Sequence, residues 1–231
     1  MSDAARRAIL AALPAAPAGP WPPTSLPLAP TVASVDPATL LANFTAAATA
    51  AGAVVTCEMG IGAARLALLS FLRTAEARQV LVWPQGDLPI PGLLDALQML
   101  GIETLTPDAT IAGQRAALRQ EKPVWLGLIS GLAGLADQGS IIVRYPDPAH
   151  MLAAVWPQTQ IILLPVTCLA PSFAGWLVAA RQQGDWAARL HNDMTIIAGP
   201  SLSMDIEQTP VRGAAGPAQL HIFLIGEDRI L

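Results

Sequence analysis

Basic residues are scarce in this chain and never gather. It has 13, all arginine except Lys122, and no cluster is denser than Arg6-Arg7. With a formal net charge of −4, the chain lacks the clustered cations that phosphate neutralisation requires, which argues against a nucleic-acid partner. Cysteine is rarer still. Cys57 and Cys168 stand alone in apolar surroundings, with no CxxC or Cys/His spacing, so buried reduced thiols, a cytoplasmic setting and no iron–sulfur cluster in the chain itself are expected. His150, His191 and His221 are scattered without partners at metal-ligand spacing, so no metal site is expected. No Ser/His/Asp order, HExxH or P-loop occurs. Long apolar runs are missing too, although 53% of residues are hydrophobic and mean hydropathy is +0.47. Glycine, proline or charge breaks every run before the ~18 residues of a membrane span, so a soluble globular protein is expected. After Arg6-Arg7 only Ile9 to Leu13 precede Pro14, too short a stretch for a secretory signal.

Proline is what the chain has in abundance near its start: Pro14, Pro17, Pro20, Pro22, Pro23, Pro27, Pro30 and Pro37. That density forbids helix and central strand. Residues 1–35 therefore read as a short helix (2 to 13) followed by an extended arm in which Trp21 docks on a surface. From Asp36 the pattern becomes regular. Asp36-Pro37 caps a helix running to about Ala51, and Val54 to Cys57 reads as a short buried strand. A helix over Ala63 to Arg73 turns Leu66, Leu69 and Phe71 or Leu72 inward. Strand Gln79 to Trp83, helix Pro91 to Leu100, strand Glu103 to Leu105, helix Ile111 to Leu118 and strand Val124 to Ile129 follow. Such alternation predicts a mainly parallel sheet. Beyond Gly131, strands Ser140 to Arg144 and Gln160 to Pro165, helix Ala174 to Arg189, and strands Met194 to Ala198 and Leu220 to Ile225 complete one α/β domain, 36–231, with a mixed sheet.

Four turns carry candidate chemistry. Gly60-Ile61-Gly62-Ala63-Ala64-Arg65 joins a strand to a helix, where glycines let a phosphate approach helix amides. Arg65 occupies the third glycine position of the dinucleotide fingerprint, so a plain βα turn is the stronger reading. Asp137-Gln138-Gly139-Ser140 precedes a strand and reads either as a tight turn or as a cleft wall. Gly199-Pro200-Ser201-Leu202-Ser203-Met204-Asp205-Ile206-Glu207-Gln208 packs hydroxyls and two carboxylates after an apolar strand, at the kind of strand end where open α/β sheets bind ligands. Asp205 and Glu207 share a side only if this stretch is extended; the alternative is a Ser-capped helix start. Gly213-Ala214-Ala215-Gly216-Pro217 forms a loop whose backbone amides could line a pocket.

GPSLSMDIEQ (199 to 208), GAAGP (213 to 217) and LHIFLI (220 to 225) together resemble the LutC branch of the lactate-utilization (LUD) domain family. Its members show GPS, a basic and a small residue, then DIE, followed by a GVHGP-like loop. Ala136 to Ser140 sits where relatives carry AETGT, and the likeness spans roughly residues 36 to 231. The resemblance implies a Rossmann-like three-layer α/β/α fold with a mixed, mainly parallel sheet, similar to the CoA-transferase and ribose-5-phosphate isomerase group. It further implies a role in oxidising L-lactate beside LutA-like and LutB-like iron–sulfur proteins, with no cofactor in this chain. By that likeness the ligand, a small carboxylate or phosphorylated compound, would meet Asp137, Gln138, Gly139, Ser140, Gly199, Pro200, Ser201, Asp205, Glu207, Gly213 and Gly216. Two departures bear on chemistry: Leu202 stands for the family's basic residue and Ala215 for its loop histidine. Each lost charged hydrogen bond is worth about 1–3 kcal/mol, unless Arg212 or Arg144 substitutes. Two alternatives remain open: a non-catalytic scaffold or ligand sensor, and an independent isomerase or transferase in which Asp137 or Glu207 is base or nucleophile.

Overall fold

The computed structural model describes residues 3, 5, 6, 11, 35–106, 126–145, 149–182, 194–204 and 209–227. The chain divides into two compact units, Met1–Pro30 and Thr31–Leu231. In the first, the described positions Asp3, Ala5, Arg6 and Ala11 are helical. The proline arm with Trp21 and the helix expected over 111 to 118 lie outside the described residues.

The second unit opens with helix α1 (Pro37–Ala50), and Asp36 caps it by accepting from the Thr39 N–H at 3.1 Å. Pro37 at the first helical position loses nothing by lacking an N–H, since that donor has no helical partner anyway. There follow β1 (Val54–Met59), α2 (Ile61–Thr74), β2 (Gln79–Val82), α3 (Leu93–Met99) and β3 (Glu103–Leu105). Further on come β4 (Leu126–Ser130), β5 (Ala133–Leu135), β6 (Ser140–Arg144), α4 (Leu152–Val155) and β7 (Thr159–Pro165). The described elements end with β8 (Leu169–Ala170), α5 (Phe173–Gln182), β9 (Met194–Ile197), β10 (Leu202–Met204), β11 (Pro210–Arg212) and β12 (Gln219–Gly226).

Six strands form the central sheet in the order β1-β12-β7-β4-β2-β3, with every pairing parallel. The α/β class expected from the alternation is present. The antiparallel character, however, lies outside this sheet: β8-β5-β6-β9 make a second sheet, and β10-β11 a separate hairpin. In the middle of the central sheet β7 and β12 carry apolar blocks because both faces are covered; Ile161 to Leu164 are all fully buried, and Ile222 to Ile225 are buried. Period-two alternation shows instead in β6, where Ile141 and Val143 join the main core while Ile142 packs with Trp176 of α5.

Two sequence expectations fail for physical reasons. β1 is an edge strand, so its alternate residues stay in solvent and Cys57 is exposed rather than buried; Cys168 is half-buried, and both thiols are free. Burial, then the neighbouring Glu58 charge, pushes the Cys57 thiol up, and burial does the same at Cys168. In α2 the buried stripe is Ala64, Leu68 and Leu72, and Leu66 is 71% exposed. Small Ala64 allows close approach on a face that a search for large side chains overlooks.

Candidate functional site

Gly199, two residues past β9, sits at φ +79°, a conformation that favours glycine, and a Cβ there would lie 2.3 Å from the Ala51 carbonyl oxygen. The next residue, Pro200, covers Gly52, whose own Cβ would sit 3.5 Å from the proline ring. Ser201 is then held by its backbone from both sides. Its N–H donates to the Pro217 carbonyl at 2.8 Å, and its carbonyl accepts from the Gly213 N–H at 3.1 Å. Gly216, at φ +137°, lets the loop pass close: a Cβ there would lie 3.3 Å from the Ser201 Cβ. The two sequence motifs, fourteen positions apart at their first glycines, thus form one backbone clasp. Ser201 leads into β10, so it does not cap a helix.

The clasp forms one wall of a cavity of about 390 Å³. Gly199, Pro200, Ser201 and Gly216, all expected from sequence, line it together with Leu202, Ser203 and Ala215. The facing walls come from Tyr145, Ala154, Val155, Gln160, Thr195 and Leu220. Gln160 and Leu220 are the second residues of β7 and β12. The cavity therefore sits beside the amino-terminal residues of the central strands and not beyond their carboxyl ends, where strand-end reasoning places it.

Other expected site residues lie elsewhere. Leu135 to Gly139 make a tight turn from β5 to β6, closed by the Gly139 N–H donating to the Leu135 carbonyl at 2.8 Å. Asp137 and Gln138 are exposed on it and do not line the cavity. Gly139, at φ +64°, is pressed against the backbone of Ala47 and Ala48 in α1. Ser140 is fully buried with an unpaired hydroxyl. The turn still neighbours the clasp: Ile141 pairs with Ile197, so Ser140 sits level with Ala198, and Gly139 and Gly199 seat on the same helix end. Gly213 shapes the clasp without lining the cavity. Asp205 and Glu207 lie outside the described residues. Arg212 faces Leu202 across the β10-β11 hairpin, and Arg144 faces Met194, but neither lines the cavity.

Gly60 adopts φ +89° ahead of α2, and its N–H donates to Gly226 at 3.1 Å. That amide is consumed in joining β1 to β12. Among the described residues no group of three His, Cys, Asp or Glu is placed to hold a metal ion, and no helix is long and apolar enough to cross a membrane.

Sequence reasoning missed the cavity's most buried polar side chains. Tyr145 is 2% exposed and its hydroxyl lacks a well-formed hydrogen bond. Burial raises its phenol, an effect the Thr195 side chain partly offsets. Gln160 is 1% exposed; its amide nitrogen donates to the carbonyls of Gly127 (3.3 Å) and Ile161 (3.0 Å), while its amide oxygen is unpaired. The available signal was an amide opening a purely apolar strand, and the chain's single tyrosine.

Comparison with known proteins defines the class. Residues 106–225 match the LUD domain, and the chain belongs to that family. Within it, the chain is similar to lactate utilization protein C of Halalkalibacterium halodurans, with 26% identity over 163 residues, covering 71% of this chain and 69% of that protein. It is also similar to the uncharacterized protein YkgG of Escherichia coli, at 24% identity over 48% of each chain. The crystal structure of a DUF162 family protein from Deinococcus radiodurans shares the fold, with a TM-score of 0.59 at 18% identity over 84% of this chain and all of that one.

Proposed function

We propose that this protein is the LutC-like component of an L-lactate oxidation system in the cytoplasm, acting beside LutA-like and LutB-like iron–sulfur proteins, with the cavity under the Gly199–Ser203 turn as its ligand site. The carrying observation is the clasp: the paired motifs that resemble the LutC branch meet through Ser201 and enclose that cavity. Membership of the LUD family and the likeness to lactate utilization protein C support the pathway. In this reading electron transfer falls to the partners, since two cysteines are fewer than the four thiolates of a conventional cluster. Deleting the gene in its host should abolish growth on L-lactate while leaving growth on pyruvate intact, and tagged protein should co-purify with cluster-bearing partners. Normal growth on lactate without such partners would reject this reading.

One observation favours a binding role over catalysis by this chain alone. Among the described lining residues the only ionisable side chain is Tyr145, and Asp137 lies exposed on its turn away from the lining. An independent isomerase or transferase would instead lose turnover on Glu207→Gln.

A further inference from the structure

The central sheet ends in two unequal edges. On one side β3 has only three residues and begins with Glu103, which accepts from the Gln79 side chain at 2.8 Å. On the other, β1 runs for six residues without proline or bulge, in unbroken register with β12. Among the described residues no strand covers its outer side; Val54 and Met59 are each 53% exposed, and Cys57 is exposed between them. Natural edge strands are shortened, kinked or charged, because an open row of amides and carbonyls invites another strand. Of these guards β1 has only Glu58.

The direction of its backbone groups follows from the pairing. The Gly60 N–H donates to the Gly226 carbonyl at 3.1 Å, and Met59 lies opposite Gly226 in the parallel register. Gly60 and, by the two-residue repeat, Glu58, Thr56 and Val54 therefore turn their N–H and C=O toward β12. Val55, Cys57 and Met59 turn theirs outward. An antiparallel neighbour must set outward residues against outward residues, so a two-fold axis relating two β1 strands passes through a residue and not between two. On Glu58 it would set two like carboxylates directly opposite, which is destabilising. On Thr56 it leaves Met59 facing Ala53, beyond the end of the strand. On Cys57 it sets Val55 against Met59 and Cys57 against its own copy, so that every outward group is paired. Axes nearer the strand ends overlap fewer residues.

We infer that two copies of this chain pair antiparallel through β1, about a two-fold axis at Cys57, and so join their central sheets into one. The strand is complementary to itself on three counts: its outward hydrogen-bonding groups match, apolar Val55 meets Met59, and the Glu58 carboxylate meets the Thr56 hydroxyl of the second copy and not another acid. This surface lies apart from the cavity, and the inference does not depend on the ligand or the pathway.

The test is sedimentation equilibrium of the full chain across micromolar concentrations at pH 7.5 under reducing conditions, where the parent should be a dimer. Thr56→Lys sets a cation opposite Glu58 of the second copy, twice per dimer, and should tighten the dimer about three- to tenfold; Thr56→Glu should loosen it by a similar factor. Opposite shifts from one position cannot both come from misfolding. Cys168→Ser leaves Cys57 as the chain's single thiol, and bismaleimidoethane should then link Cys57 to Cys57, far less so once Thr56→Glu is added. A monomer at every concentration overturns the inference. Equal dimer constants in the two Thr56 variants, or no Cys57 crosslink, overturns the pairing through β1. Loosening by both variants means that residue 56 meets its own copy, and overturns the axis at Cys57.

Discussion

Gly139→Ala should be among the most damaging single-methyl additions to this protein, and the structure allows its cost to be divided. The residue sits at φ +64°. An L side chain in that left-handed region costs about 1–2 kcal/mol. The new Cβ would also lie 2.0 Å from the Ala48 nitrogen and 2.4 Å from the Ala47 carbonyl carbon. Both are helix backbone and cannot rotate away, so α1 must shift, at an overpacking cost of about 1–3 kcal/mol. The sum, about 2–5 kcal/mol, is a large share of the 5–15 kcal/mol that domains usually have. Gly92 supplies the control: it has φ +63° and nothing within 4 Å of an added Cβ, so Gly92→Ala should lose the conformational cost alone. Urea denaturation followed by circular dichroism should place Gly139→Ala below Gly92→Ala by about 1–3 kcal/mol. Because Gly199 rests on Ala51 at the end of the same helix, Gly139→Ala and Gly199→Ala should be less than additive when combined. Equal losses in Gly139→Ala and Gly92→Ala would refute the seating of the turn on α1.

The His221 imidazole, tilted 48° against the Phe71 ring at 4.6 Å between centroids, has its pKa lowered from 6.5 by burial. The unfolded chain therefore takes up that proton first, so stability should fall as pH drops below about 6.5 and the loss should level off below the folded value; His221→Gln should flatten that part of a urea-midpoint profile, and an unchanged slope would count against it. Ser140→Ala removes a buried hydroxyl without a partner and should raise stability by about 1 kcal/mol in the same assay, whereas a loss of that size would reveal a bond to Ser140. Leu202 pairs with Arg212 across the hairpin, so Leu202→Glu should be more stable than Leu202→Arg by about 0.5–1 kcal/mol, a gap that should shrink in 0.5 M salt if it is electrostatic.

The parallel core was legible because burial on both faces leaves β-strands as short apolar blocks, as in Ile161 to Leu164. The cap at Asp36 was legible because an aspartate before proline has a specific local chemistry. Short strands were not: β5 and β8 have three and two residues, and their pairing with β6 and with each other depends on tertiary contact rather than on any local pattern. The hairpin β10-β11 was hidden in a similar way, since Leu202 to Met204 gives no sign of its partner around Pro210. At the site, sequence found the clasp but not the facing wall. Tyr145, just after β6, and Gln160, in β7, are separate in sequence from the motifs, and only the folded chain brings them to the same cavity as Ser201.

The clasp and the wall answer to different physical demands, and this explains how family and chemistry can come apart. Gly199, Gly213 and Gly216 are needed for their backbone conformation and close approach, and Ser201 is held through its own N–H and carbonyl. Substitution at these glycines strains the fold, whatever the ligand. Positions 202 and 215 instead present side chains at the cavity, and Leu202 is 60% exposed, so exchanging it costs the fold little. A chain can therefore keep the family's backbone architecture while replacing its basic residue and histidine with leucine and alanine.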